Sequence, residues 1–316
     1  MPNIWAHIQF GREVLCRIQI EKLQLTPEWK KAFQLGCQGP DFLFYDNFLP
    51  WQSSTPLNRL GSLMHNIHCG PFLLDLLDTV KDRPIENPTV AYTIGFLLHH
   101  ILDRHLHPFV FSLSGFKKWH HQRFETAMDS VILFERAGIH TGLTPVAPEV
   151  NTDNKLPGEF ATDFLQVVAK HYPVLAAQIT AIQLDHAVRQ FILAQRIFFD
   201  PSGIRGKLTF GQITPFSPPR KVPEWDVLNH AGKAWINPCD RTIVHTESAM
   251  ELWDNALKDA TDTTLACMAW LLSQSEQEKT LHKARFKEML KNISYETGLP
   301  CGSVSITYAD SIVPVR

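Results

Sequence analysis

Eight histidines fall between positions 65 and 121, interleaved with acids on segments that are otherwise apolar. With His7, nine of the chain's 15 histidines lie in the first 121 positions. Apolar segments of this kind must be buried. Each imidazole or carboxylate carried inside without a partner would cost several kcal/mol. Divalent ions shared among side chains from several segments satisfy such groups together, and this requirement bounds the fold.

The densest stretch is Gly95-Phe96-Leu97-Leu98-His99-His100-Ile101-Leu102-Asp103-Arg104-His105-Leu106-His107-Pro108. His99 and Asp103 are four apart, so on a helix they share a face, one turn apart. An imidazole nitrogen and a carboxylate oxygen so placed can grip one ion at about 2.0–2.2 Å. Pro108 disfavours a helical conformation at His107. The helix is therefore predicted to end near His105, with His107 pointing back from the turn. His100 is turned about 100° from His99 and faces elsewhere. His121 and Glu125 repeat the spacing of four. Asp41, in Gly36-Cys37-Gln38-Gly39-Pro40-Asp41, is a third candidate, and either His65 or His68 a fourth. Such a pair alone is also an ordinary neighbour pair on a solvated helix, and an Asp after Gly-Pro commonly fixes a turn. The coincidence of two pairs between His99 and Glu125 carries the metal reading. Arg104 and Arg123 are candidates for binding a phosphate oxygen, although arginine is mostly a surface residue. Asn66 is a candidate for orienting a ligand.

Periodicity and punctuation give an all-α chain. Helices are expected over 8–23, from Pro27, over 71–80, 89–105, 116–137 (closed by Gly138), 159–170, 173–199, 246–272 and 276–293. Ser248 and Glu251 have capping-box spacing. A polar stretch at 151–158 divides a metal-binding domain, 1–150, from a helical C-terminal region, 151–316. Residues 201–245 read as a long Pro- and Gly-rich loop that could lie over the cleft as a lid. Val304, Ile306 and Thr307 suggest a short strand in the tail.

The chain of 316 residues is 44% hydrophobic, enough for a large core, and its formal net charge is −2. No lysine- or arginine-rich block stands out, which leaves no electrostatic case for nucleic acid or an anionic membrane. Six scattered cysteines without a CxxC pair read as free thiols. The start, Met1-Pro2-Asn3-Ile4-Trp5-Ala6-His7, lacks the pattern of a secretory signal, and no apolar run reaches the ~20 residues of a membrane span. A cytoplasmic protein is expected.

These residues resemble the zinc-dependent phospholipase C family, related to the S1/P1-type nucleases. Leu98-His99-His100-Ile101-Leu102-Asp103 is similar to the family's His-x-x-x-Asp helix, and His121 with Phe124-Glu125-Thr126-Ala127-Met128-Asp129 to its His-x-x-x-Glu helix. Asn3-Ile4-Trp5-Ala6-His7 and Gly39-Pro40-Asp41 match its early His and Asp. The similarity covers roughly residues 3–150 and is strongest to the bacterial branch without a signal peptide. It implies a phospholipase C/P1 nuclease-like helical bundle with additional C-terminal helices. It implies that Asp41, His65, His99 and Asp103 hold one zinc, that His107, His121 and Glu125 hold a second, and that His7 joins Asp103 at a third. The secreted enzymes bind the third metal through a mature N-terminal Trp, whereas Trp5 here is internal, so the expectation is two or three Zn2+ ions. The spacing from Asp103 to His107 is shorter than the family's, and that from Asp41 to His65 longer, which keeps His68 in play.

The implied activity is phosphate-ester hydrolysis of the phospholipase C type, with a zinc-activated water as nucleophile. Asp41 and Glu125 are expected first as ligands and second as proton acceptors. The expected partner is a phosphate-ester substrate, with phospholipid favoured over nucleic acid. An S1/P1-like nuclease and a non-catalytic helical scaffold with a structural metal site are the alternatives.

Overall fold

The computed structural model describes residues 3–19, 25–49, 51–302 and 304–314. Helices come first in chain order: α1 (Ile4–Arg17), α2 (Pro27–Gly36), α3 (Pro56–Met64), α4 (Cys69–Asp78), α5 (Pro88–Ser114) and α6 (His120–Ala137). After these come α7 (Ala147–Val150), α8 (Phe160–His171), α9 (Pro173–Ala176), α10 (Ala181–Phe198), α11 (Ile204–Leu208), α12 (Ala249–Leu271) and α13 (Glu276–Leu290). Among the described residues, two 3-10 turns, Asp41–Tyr45 and Thr214–Phe216, follow α2 and α11. One short antiparallel pair, β1 (Trp235–Ile236) and β2 (Val244–His245), sets Trp235 opposite His245. The all-α expectation holds.

Local chemistry explains the boundaries. The Ser248 side chain accepts from the Glu251 N–H and Glu251 reaches back, the box that starts α12. Gly138 closes α6 at φ 64, its N–H bonded to the Leu133 and Phe134 carbonyls. A helix that is apolar on nearly all sides belongs in the centre of a fold. α5 is such a helix, and α1, α2, α4, α6 and α12 all pack on it. Its approach to α2 is backbone-close, since a Cβ on Gly95 would stand 2.4 Å from the Phe33 carbonyl oxygen. Buried apolar residues form one cluster from Ile4 to Val313, so Trp253 and Leu257 of α12 share a core with Phe10 of α1 and Leu98 of α5.

Several expectations need correction. α5 does not end near His105; it passes through Pro108 to Ser114. An interior proline costs about 3 kcal/mol. The continuation buries Leu106, Phe109, Val110 and Leu113 almost completely. At about 1.5–3 kcal/mol per large side chain, that burial wins. The first helix starts at Ile4, capped by Asn3, and ends at Arg17; residues 18 and 19, expected to be helical, form a turn, and 20–23 lie outside the described residues. The helix expected over 173–199 is two, because Thr180 opens α10 with its own capping box to Gln183. Residues 201–245 are not structureless, since α11, a 3-10 turn and both strands lie there. Val304, Ile306 and Thr307 form no strand. The tail's N–H groups instead donate across chain segments: Thr307 to the Pro238 carbonyl, and Asp310 and Ile312 to the Ser112 and Leu113 carbonyls at the end of α5.

Candidate metal centre

Because α5 continues past His105, His99, Asp103 and His107 stand on three successive turns of one face. Other elements bring the remaining side chains to that face. α1 carries His7, the 3-10 turn after α2 carries Asp41, the residue ending α3 is His65, and the first turns of α6 carry His121 and Glu125. The turn that delivers Asp41 depends on Gly39. Its φ is +51°, and a Cβ there would lie 2.1 Å from Cδ2 of His99. Only glycine lets the chain reverse while lying flat on that ring.

All eight candidates converge. His99 Nε2 is 3.0 Å from Asp103 Oδ2 and 3.7 Å from Asp41 Oδ1. His65 Nε2 is 3.3 Å from Asp41 Oδ1, and His7 Nε2 is 3.3 Å from Asp103 Oδ1. His121 Nε2 is 2.6 Å from Glu125 Oε1. Three groups, each with donor atoms within 4.8 Å of one another, result: His7, His99 and Asp103; Asp41, His65 and His99; His107, His121 and Glu125. His99 belongs to two of them, and Asp103 comes within 3.9 Å of His107 Nδ1.

The ring orientations are held from outside. Nδ1 of His65 pairs with the Gly61 carbonyl at 2.6 Å, Nδ1 of His99 with the Cys37 carbonyl at 3.1 Å, and Nδ1 of His107 with the Tyr295 carbonyl at 2.7 Å. Each carbonyl takes the Nδ1–H and leaves Nε2 as a lone-pair donor aimed inward, the arrangement that orients metal-binding imidazoles. The Nε2 atoms of His7, His65, His99 and His107, Oδ1 of Asp41 and both oxygens of Asp103 are buried without an aligned hydrogen bond, although they lie close together. Groups arranged like this face a common point rather than each other. Nitrogen and carboxylate donors of this kind suit zinc.

Electrostatics agree. Burial holds His7, His107 and His121 below the usual imidazole value, which keeps them neutral. Burial also pulls His65 down, but Asp41, whose carboxylate lies 3.3 Å from Nε2, more than offsets it, and the net direction is up. Burial alone would raise Asp103; His107, His99 and His7 around it hold it well below the usual carboxylate range.

Other histidines are spoken for. His68 is turned away, its ring 5.6 Å from that of His171, so the geometry selects His65. His100 bonds the Ile293 carbonyl and His105 bonds Asp259. His120 is buried against Ser311. Arg104 is not aimed at the cluster; its guanidinium binds Asp259 and the Leu290 carbonyl. Asn66 accepts from the Ser294 hydroxyl, which also donates to the His65 carbonyl. The anchoring segment around Tyr295 carried no signal in the sequence, because it acts through backbone: the Tyr295 N–H donates to the His65 carbonyl and its own carbonyl holds His107. Asp129 was also missed. It receives the Ala6 N–H at 2.5 Å and so fixes the backbone next to His7.

A model of the zinc-dependent phospholipase C family matches residues 6–177, more than half of the chain. The chain belongs to the zinc-dependent phospholipase C family. No curated protein and no solved structure matches it. The match ends before the Tyr295 segment, so an anchor of His107 lies outside the part of the chain that the zinc-dependent phospholipase C model spans. Family and clusters together support a zinc-dependent phosphoesterase. No helix among the described residues is long and apolar enough to cross a membrane.

Proposed function

We propose that the chain is a zinc-dependent phosphodiesterase of the phospholipase C type. The observation that carries this is the sharing of His99 between two buried donor groups, with Asp103 set between His99, His7 and His107. Such sharing suits ions side by side rather than one isolated site. Asp41, His65 and His99 would hold one zinc with Asp103 beside them. His107, His121 and Glu125 would hold a second, and His7 with Asp103 a third. Bound zinc supplies Lewis-acid charge to phosphoryl oxygens and lowers the pKa of a nearby water towards neutrality.

The chain's own part is orientation, desolvation and proton handling. The three carbonyl anchors fix which nitrogen faces inward. Oδ1 of Asp41 and Oε1 of Glu125 act first as donors to the ions and second as proton acceptors. The His121 and Glu125 side chains keep 24% and 12% of their surface exposed, so that end of the cluster opens outward. A purely structural zinc site is closed. The openness favours catalysis over a scaffold role.

The test is metal analysis of the purified chain combined with two assays, release of phosphorylated head group from phosphatidylcholine and cleavage of single-stranded DNA. More than one zinc per chain with head-group release is expected. Zinc without turnover of either substrate would overturn the reading.

A further inference from the structure

We propose that the segment over 201–223, together with the approach to α6, is a docking platform for an anionic lipid surface. This deepens the phosphodiesterase reading but rests on separate observations. The segment contains Arg205, Lys207, Arg220 and Lys221 and no aspartate or glutamate, so the chain's overall charge balance conceals a locally cationic stretch. Three of its large apolar side chains face outward: Ile204, Leu208 and Phe210 are 58%, 74% and 94% exposed. Phe210 also sits at φ 50, a left-handed conformation that a bulky residue adopts only under constraint. The fold thus holds an aromatic ring out in solvent at a backbone position where glycine would be easier.

The platform is anchored, not loose. The Arg205 guanidinium binds the Arg196, Ile197 and Phe199 carbonyls at the end of α10. Phe216 packs edge-on against Trp119 at 4.9 Å. Trp119 immediately precedes α6, and Phe116, Lys117 and Lys118 before it continue the same mixture, Phe116 being 65% exposed. Behind the segment runs a groove of about 800 Å3, lined in part by Arg123, Lys207, Arg220, Lys221 and Trp225. Asp200 is the acid there, and its carboxylate is engaged by the Gly206 N–H and the Ser202 hydroxyl.

Charge complementarity decides the occupant. Exposed apolar groups rimmed by lysine and arginine fit the boundary between anionic head groups and acyl chains. Single-stranded nucleic acid would want stacking rings along a basic groove. Ile204 and Leu208 cannot stack bases, which favours lipid. The platform meets the first turns of α6, the helix that also carries His121 and Glu125, through Trp119, Arg123 and Thr126.

The experiment is flotation of the purified chain with vesicles of phosphatidylcholine and phosphatidylserine in equal parts, and with phosphatidylcholine alone, at low and high salt. Binding to the mixed vesicles that falls with salt is expected. A Lys207→Glu/Lys221→Glu variant should lose at least about twenty-fivefold in partitioning, at roughly fivefold per cation removed even before reversal. A Leu208→Ser/Phe210→Ser variant should lose at least about tenfold. These side chains stand outside the core, and an unchanged thermal melt verifies that each variant folds. Wild-type chain that does not float, or variants that float like wild type, would overturn the proposal. So would retention of single-stranded DNA, in place of vesicles, through the same residues. Flotation is independent of turnover. A chain that floats but hydrolyses nothing defeats the enzymatic reading alone; one that hydrolyses phosphodiesters but does not float defeats the platform alone.

Discussion

At the scale of single residues, the centre depends on groups that are costly unless something joins them. His99 is the most connected, standing in two donor groups and pinned by the Cys37 carbonyl. His99→Ala is expected to remove zinc and to lower turnover by at least about a hundredfold, since even residues one shell further out commonly cost 10–100-fold. Normal turnover of that variant in excess zinc would contradict the scheme. Asp129 gives a pH prediction. Burial pushes its carboxyl up to about 8, against the lowering effect of the Ala6 N–H. The folded chain therefore keeps a proton that the unfolded chain releases from pH ~4 upward, and this residue's contribution to stability falls as pH rises towards 8, by up to about 1.4 kcal/mol per pH unit. Asn at 129 can still accept from Ala6 but cannot ionise. With zinc saturating, the melting temperature of Asp129→Asn should fall less than wild type between pH 5 and pH 8; equal slopes would show that Asp129 is not the cause.

At the scale of elements, the decisive feature is α5 carried through Pro108. The spacing 99, 103 and 107 was itself a helical signal, but the local rule against helix before proline outranked it in the sequence reading. Burial of the following turns reversed that ranking. The missing N–H of Pro108 is the one that would have bonded the Arg104 carbonyl, and the Gly298 backbone lies against that carbonyl. A Cβ at Gly298 would come within 2.5 Å of the Arg104 oxygen, at φ +65. Gly298→Ala should therefore destabilise the chain by roughly 1–3 kcal/mol. It should also displace the Tyr295 carbonyl from His107 and weaken zinc binding more than a surface Gly→Ala control such as Gly232→Ala, whose Cβ would meet nothing within 4 Å. Calorimetry with zinc titration reads both effects, and unaltered zinc affinity would show that the anchor does not matter.

At the scale of the whole molecule, the part that carries the donor groups shares its core with the C-terminal helices. Trp253, Ala256, Leu257 and Ala260 of α12 are fully buried in the cluster that contains α1 and α5. A fragment ending at residue 177, where the family match stops, would expose that surface and lose the Tyr295 anchor. It is expected to lack a cooperative thermal transition; a sharp melt with full zinc content would refute the dependence. The sequence by itself determined the helical class, the caps at Ser248 and Gly138, and the two pairs spaced by four, His99 with Asp103 and His121 with Glu125. Those properties are local: a spacing of four sets two groups on one face wherever the helix goes, and buried His and Asp demand a common partner in any fold. Only the tertiary structure decided that His65 and not His68 turns inward, that α5 runs on through a proline, and that Tyr295, nearly two hundred positions away, holds His107. Each of these was settled by burial and by backbone carbonyls, which look alike at every position and leave no mark in the order of the residues.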